Sequence, residues 1–187
     1  MGTHDSIEQL RLLAFCVYLV SWLVLAGAAV ASAIPRRRQA AAPIHLTTPA
    51  IVGTLLQAAS ALPITLFLNP GPLRPDAVAL CATLVLTPFA AALFSWAVWS
   101  APRANTLATG GAYARLRHPM YLAFLAMLLA TGLLASAGLK LILAAGLYIT
   151  GSEMRIASEE AELERRFPQE YPQYRAKTRW RYLPGLR

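Results

Sequence analysis

Charge is what this sequence has least of. Of its 187 residues only 14% are charged while 57% are hydrophobic, and a soluble surface of this size needs more charge to stay dispersed. That balance excludes an ordinary soluble domain and leaves a chain whose natural solvent is the bilayer, long enough for one compact unit. Acidic residues are especially few, nine against seventeen Lys and Arg, which gives a formal net charge of +8. The basic residues lie between and after long apolar runs, so the excess reads as the positive-inside bias of a membrane protein and not as a nucleic-acid footprint. Cysteine is scarce too. Cys16 and Cys81 each sit in an apolar run, where they read as small core residues, and neither a disulfide framework nor a metal site follows from their spacing.

Apolar runs are present in abundance. A helix needs ~20 residues to cross ~30 Å of hydrocarbon, and five candidate segments run from Leu10 to Ile34, Ala50 to Leu68, Ala77 to Ser100, Pro119 to Ala135 and Gly138 to Ser152. The first ends in Ala31-Ser32-Ala33, which is similar to a signal-peptidase site. Asp5 and Glu8, the length of the run and the Arg36-Arg37-Arg38 cluster beyond it argue against cleavage, so the segment is expected to be retained. Asn69-Pro70-Gly71-Pro72 breaks the second run from the third, because proline lacks a donor and restricts its predecessor. Ser136-Ala137-Gly138 is so short that the fourth and fifth runs must form an antiparallel helical hairpin.

Assigning alternate loops to alternate sides puts Arg36, Arg37, Arg38, Arg103, Arg115, Arg117 and every basic residue from Arg155 to Arg187 on one side. The other side receives only Arg11, Arg74 and Lys140. With five spans this asymmetry predicts an outside N-terminus and a cytoplasmic C-terminus, as in the cytoplasmic membrane of a prokaryote. The expected fold is therefore an all-α integral membrane bundle of about five transmembrane helices, followed by a cytoplasmic C-terminal helical segment. Residues 1–100 form its three-span N-terminal part and residues 101–187 the remainder of one structural unit. Pro63 and Pro88 are expected to kink the second and third spans. Gln57 and Ser60 read as interhelical hydrogen-bonding groups, with substrate contact as the alternative, and Trp96 and Trp99 as interfacial anchors.

After Ser100 the character changes. Thr109-Gly110-Gly111-Ala112-Tyr113-Ala114-Arg115-Leu116-Arg117-His118-Pro119-Met120-Tyr121 joins a polar loop directly to an apolar helix. The two glycines allow positive φ or close approach to a ligand, and Pro119 suits a first helical turn, which holds His118 at the helix mouth. Alone, this loop also reads as an ordinary interfacial connection with Arg and Tyr at the headgroups. Downstream, a helix continuing from the fifth run places Ile156, Glu160, Leu163 and Phe167 on one face. Glu159 meets Arg155 one turn earlier. A carboxylate among apolar neighbours needs a partner, and either a loop arginine or the amino group of a ligand would serve. Glu162, Glu164, Arg165 and Arg166 read as a solvated face.

Together, Arg117-His118-Pro119 with Tyr121, and Glu159-Glu160 with Leu163, Phe167, Tyr171, Tyr174 and Arg179-Trp180-Arg181-Tyr182-Leu183-Pro184, resemble the isoprenylcysteine carboxyl methyltransferase and phospholipid methyltransferase superfamily of integral membrane enzymes. The resemblance covers roughly the last 85 residues by motif and departs from the family pattern at Pro168, where glycine is usual. It implies an S-adenosylmethionine pocket between the loop before the fourth span and the C-terminal helix. Arg117, His118, Pro119, Tyr121, Glu159, Glu160, Leu163, Phe167, Tyr171 and Tyr174 would bind the cofactor, with Tyr121, Glu160 and Arg179 as the catalytic set. Tyr121 would face the sulfonium, Arg or His the cofactor carboxylate, a glutamate its amino group, Leu163 and Phe167 its adenine, and Arg179 an anionic acceptor. The acceptor would be hydrophobic or lipid-like: an isoprenylcysteine-like carboxylate, a phospholipid amine or a thiol. No metal or nucleic acid is implied. A membrane reductase using NADPH and a non-enzymatic scaffold whose basic tail binds membrane lipid are the competing readings.

Overall fold

The computed structural model describes residues 3–36, 47–65, 75–101, 106–183 and 185. Among these every regular element is helical: α1 (Thr3–Arg36), α2 (Thr48–Ala59), α3 (Leu62–Thr65), α4 (Ala77–Ser100), a 3₁₀ turn (Gly111–Ala114), α5 (Pro119–Leu134), α6 (Leu139–Arg166) and α7 (Glu170–Lys177). The turn at residues 69–72 and Arg37, Arg38, Arg74, Arg103, Pro184 and Arg187 lie outside the described residues. Two helices are long and apolar enough to cross a membrane, Ser6–Ala31 within α1 and Ala77–Ser100. Thr48–Ile64 and Pro119–Leu134 are apolar but shorter.

The second apolar run is not one kinked helix. α2 ends at Ala59, and α3 starts at Leu62. Pro63 cannot donate to the Ala59 carbonyl and its ring crowds that carbonyl, which disfavours a continuous helix here. The chain turns instead at Ser60, whose hydroxyl donates to the Gln57 carbonyl at 2.6 Å. Pro88, by contrast, lies inside an uninterrupted α4. The fifth run and the C-terminal helix are continuous as the 28-residue α6. Both cysteines face outward, which corrects the reading of Cys16 and Cys81 as core: the interior positions of α1 and α4 are taken by residues such as Ala14, Leu25, Leu80 and Ala90.

The helices pack in the order α1 on α4, α4 on α5, α5 on α6 and α6 on α2, and among the described residues no comparable contact joins α1 to α2. Leu25, Leu93, Phe94, Ala123 and Met127 build one apolar cluster between α1, α4 and α5. Alanines 90, 97, 123, 126 and 130 are fully or almost fully buried, and such small side chains let helix backbones approach. The closest approach is between α2 and α6. A Cβ on Gly53 would stand 2.6 Å from the Gly151 carbonyl oxygen, and one on Gly151 would stand 2.6 Å from that of Gly53. Beside this crossing Gln57 donates to Ser152 at 2.9 Å, and Ser152 donates to the Tyr148 carbonyl at 2.7 Å.

The α5–α6 hairpin closes as its length requires. The Ala137 N–H reaches the Gly132 carbonyl at 2.8 Å and the Ser136 N–H reaches Leu133 at 3.0 Å, the two bonds that end a helix in a left-handed residue. That residue is Ser136, at φ +53°, a conformation glycine adopts without steric cost. Ser136→Gly should therefore stabilise the protein by about 0.5–1 kcal/mol, read as a small rise in melting temperature in detergent.

Candidate functional site

The loop ahead of α5 is shaped by one glycine. Gly111 has φ +59°, and a Cβ there would lie 2.1 Å from the Ser100 hydroxyl, which instead accepts from the Ala112 N–H at 3.3 Å. Gly110 keeps an ordinary negative φ. The loop then pairs with the tail: the Arg117 N–H donates to the Trp180 carbonyl at 2.9 Å, and the His118 N–H to that of Arg181 at 2.8 Å. Tyr174 of α7 adds a bond from its hydroxyl to the Tyr113 carbonyl at 2.7 Å. His118 sits at the N-cap of α5 without capping it. Its side chain is free to turn toward α6.

Two adjacent carboxylates of α6 divide between them cations from the loop, the tail and α6 itself. Glu160, 6% exposed, accepts from Arg117 Nε at 2.8 Å and from Arg181 Nη2 at 3.3 Å. Arg117 Nη1 goes to the carbonyls of Thr178 at 2.8 Å and Arg179 at 2.9 Å, and Arg181 Nη1 to Glu153 at 2.7 Å. Glu159 accepts from the Tyr121 hydroxyl at 2.6 Å and from Arg155 Nη2 at 3.0 Å. His118 lies between them, Nδ1 at 3.5 Å from Glu159 and Nε2 at 3.4 Å from Glu160. Tyr148 of α6 donates to the Tyr121 carbonyl at 3.0 Å and fixes the start of α5.

These contacts set the protonation states. Burial pulls the His118 pKa down, but its hydrogen bonds and charge contacts with Glu159 and Glu160 outweigh it and hold the imidazole above its usual 6.5. Burial pushes Glu160 up, yet His118 and Arg117 bring it down to about 2. Glu159 is also lowered: burial acts against ionisation, and His118, Tyr121 and Arg155 overcome it. Because the folded pKa of Glu160 is depressed, its stabilising contribution is complete above about pH 4.5 and is lost as pH falls toward about 2, on the order of 3 kcal/mol by linkage. Acid melting curves should show that loss in the native protein and much less of it in Glu160→Gln.

A cavity of about 820 Å³ opens beside this network. Its polar end is walled by Arg117, His118, Tyr121, Arg155, Glu159, Tyr171 and Tyr174, with Pro119 and Leu163 beside them, and by residues 106–108 of the loop. Its other end is an apolar arm between α1, α3 and α5, lined by Trp22, Ile64, Phe124, Met127 and Leu128. Tyr18 and Thr131, joined by a 2.9 Å hydrogen bond, lie along that arm. Most of the residues singled out from sequence thus share one wall, but three do not. Glu160 is enclosed by its cations, Phe167 lies beyond the lining, and Arg179 is exposed and contributes its carbonyl. Glu162 accepts from Arg165 at 2.8 Å and also from Arg166, as expected of a solvated face.

Sequence reasoning missed Tyr18, Trp22, Tyr148 and the 106–108 segment as lining, and Arg181 as a partner of Glu160. A tyrosine inside each of the first and fifth apolar runs was the available signal. No protein-family model matches the chain, and no curated protein matches it. The family resemblance therefore rests on the motif residues themselves.

Proposed function

We propose that this protein is an integral membrane methyltransferase that moves a methyl group from S-adenosylmethionine to a hydrophobic or lipid-like acceptor. The observation that carries the reading is the single cavity with two chemically different ends. Its polar end offers the groups such a cofactor needs. Glu159 presents a carboxylate for the cofactor's ammonium, the Tyr121 ring a face for its sulfonium, and Leu163 with Tyr171 and Tyr174 an apolar and aromatic wall for adenine. When bound, the cofactor supplies an electrophilic methyl group. The protein's part is to align the acceptor with it and keep water out. The apolar arm suits an acceptor's hydrocarbon, and the lack of close packing between α1 and α2 among the described residues suits its entry from the bilayer.

In this reading α1, α2 with α3, α4, α5 and the first half of α6 are the five spans, with the N-terminus outside. The loop, α7 and the tail then face the cytoplasm, where the basic residues concentrate. Glu160 itself anchors the tail from off the cavity wall, while its partners Arg117 and His118 line the cavity, and Arg179 is given no direct catalytic role. At a concentration of 100 Kd, S-adenosylhomocysteine should stabilise the detergent-solubilised protein by about 2.7 kcal/mol, a shift of several degrees in melting temperature. NADPH should leave it unchanged. Stabilisation by NADPH alone would support the reductase instead, and no response to either would support the scaffold.

A further inference from the structure

We infer that the Tyr121 ring and the Glu159 carboxylate form a binding site for an organic cation, and that the guanidinium of Arg155 is a built-in occupant which the incoming cation displaces. The inference concerns the same cavity as the proposed function but rests on geometry that does not require methyl transfer. A carboxylate beside an aromatic face is the usual recognition set for sulfonium and quaternary ammonium groups. Here Arg155 Nη2 stands 3.0 Å from Glu159 while its central carbon lies 5.9 Å from the Tyr121 ring centre. One guanidinium thus makes both contacts that such a ligand would make.

The three partners of Glu159 differ in how firmly they are held. Tyr121 is tied at both ends, its hydroxyl to Glu159 at 2.6 Å and its carbonyl to Tyr148 at 3.0 Å. His118 is 7% exposed and wedged between two carboxylates. The Arg155 side chain is 36% exposed and pairs with Glu159 across one helical turn, and Arg155 lines the cavity. An exposed pair of this kind is weak, so Arg155 is the partner that yields. Its stem lies against the α2 backbone where that helix carries glycine, since a Cβ on Gly53 would meet Arg155 Cγ at 2.8 Å, so the guanidinium is the part that moves.

The consequence runs against the usual effect of deleting an arginine from a ligand cavity. Arg155→Gln should tighten binding of a cation by about two- to fivefold, the strength of the exposed pair that no longer competes. Glu159→Gln should weaken it. The test titrates the full chain in nanodiscs, native and both variants, with trimethylsulfonium and separately with S-adenosylmethionine, after melting curves confirm that the variants fold. Tighter binding of both probes to Arg155→Gln is the expected result. Weaker binding of either probe to that variant would overturn the inference, since Arg155 would then be a ligand group. A trimethylsulfonium response with none to S-adenosylmethionine would uphold the cation site and remove the methyltransferase reading. No binding of either probe to any form would overturn both.

Discussion

Glu160→Ala is expected to cost about 3–5 kcal/mol, the loss found when one partner is removed from a buried ion pair. Arg117 is 2% exposed at its side chain and would keep only two carbonyl partners for a full positive charge. Arg181 would keep Glu153 alone, and His118 would lose one of its two carboxylates. The damage should appear as a large fall in melting temperature and as protease sensitivity of the 178–183 tail, because these cations tie that tail to α6. Glu160→Gln, which can still accept from Arg117, should lose less. Cofactor affinity measured well below the lowered melting temperature should stay within a few-fold of native, since Glu160 is not on the cavity wall.

Gly151→Leu is the second large effect. A side chain here meets backbone, at 2.6 Å from the Gly53 carbonyl oxygen and 3.0 Å from the Gln57 nitrogen, so no rotamer change on α2 relieves it. Overpacking typically costs about 1–3 kcal/mol, and a clash against backbone across a helix crossing belongs at the upper end of that range or above. Because α2 supplies Thr54, Gln57 and Ala58 to the cavity wall, forcing α2 away from α6 should also weaken ligand binding. Gly151→Ala should show the same two losses at smaller size. A control at Gly146, where a Cβ meets nothing within 4 Å, should be close to neutral in both measurements.

Much of the fold was legible in the sequence because helix formation in an apolar chain is governed locally. Among the described residues the five hydrophobic runs are mainly helical, the second in two pieces, and the three-residue Ser136-Ala137-Gly138 link could close only as a hairpin. The break at Ser60 was legible only in part, since Pro63 removes the bond to the Ala59 carbonyl but Pro88 removes the same kind of bond inside an unbroken α4. A kink was expected because hydropathy does not register a lost hydrogen bond. The pairing of α2 with α6 was not legible. It depends on Gly53 and Gly151 facing each other across 98 residues of chain, and a single glycine in an apolar helix carries no sign of its partner.

The candidate site shows the same division. The spacing of Arg155 and Glu159 gives their contact directly, and Arg117, His118 and Tyr121 were grouped with Glu159 and Glu160 from the motifs. What the sequence could not separate was the work of two adjacent glutamates. Neighbours on a helix point about 100° apart, and that rotation turns Glu159 to the cavity and Glu160 into the cations of the loop and tail. Arg179 shows a related limit: its side chain is exposed and its backbone carbonyl accepts from Arg117, and no side-chain pattern reports a carbonyl.

The most direct measurement is transfer itself. The purified protein, incubated with methyl-labelled S-adenosylmethionine and a membrane lipid extract, should move label into the apolar phase, and Glu159→Gln should abolish that transfer while remaining folded. Label that stays with the cofactor for the native protein across extracts of differing headgroup and acyl composition, or equal transfer by Glu159→Gln, would contradict a methyl-transfer site at this cavity.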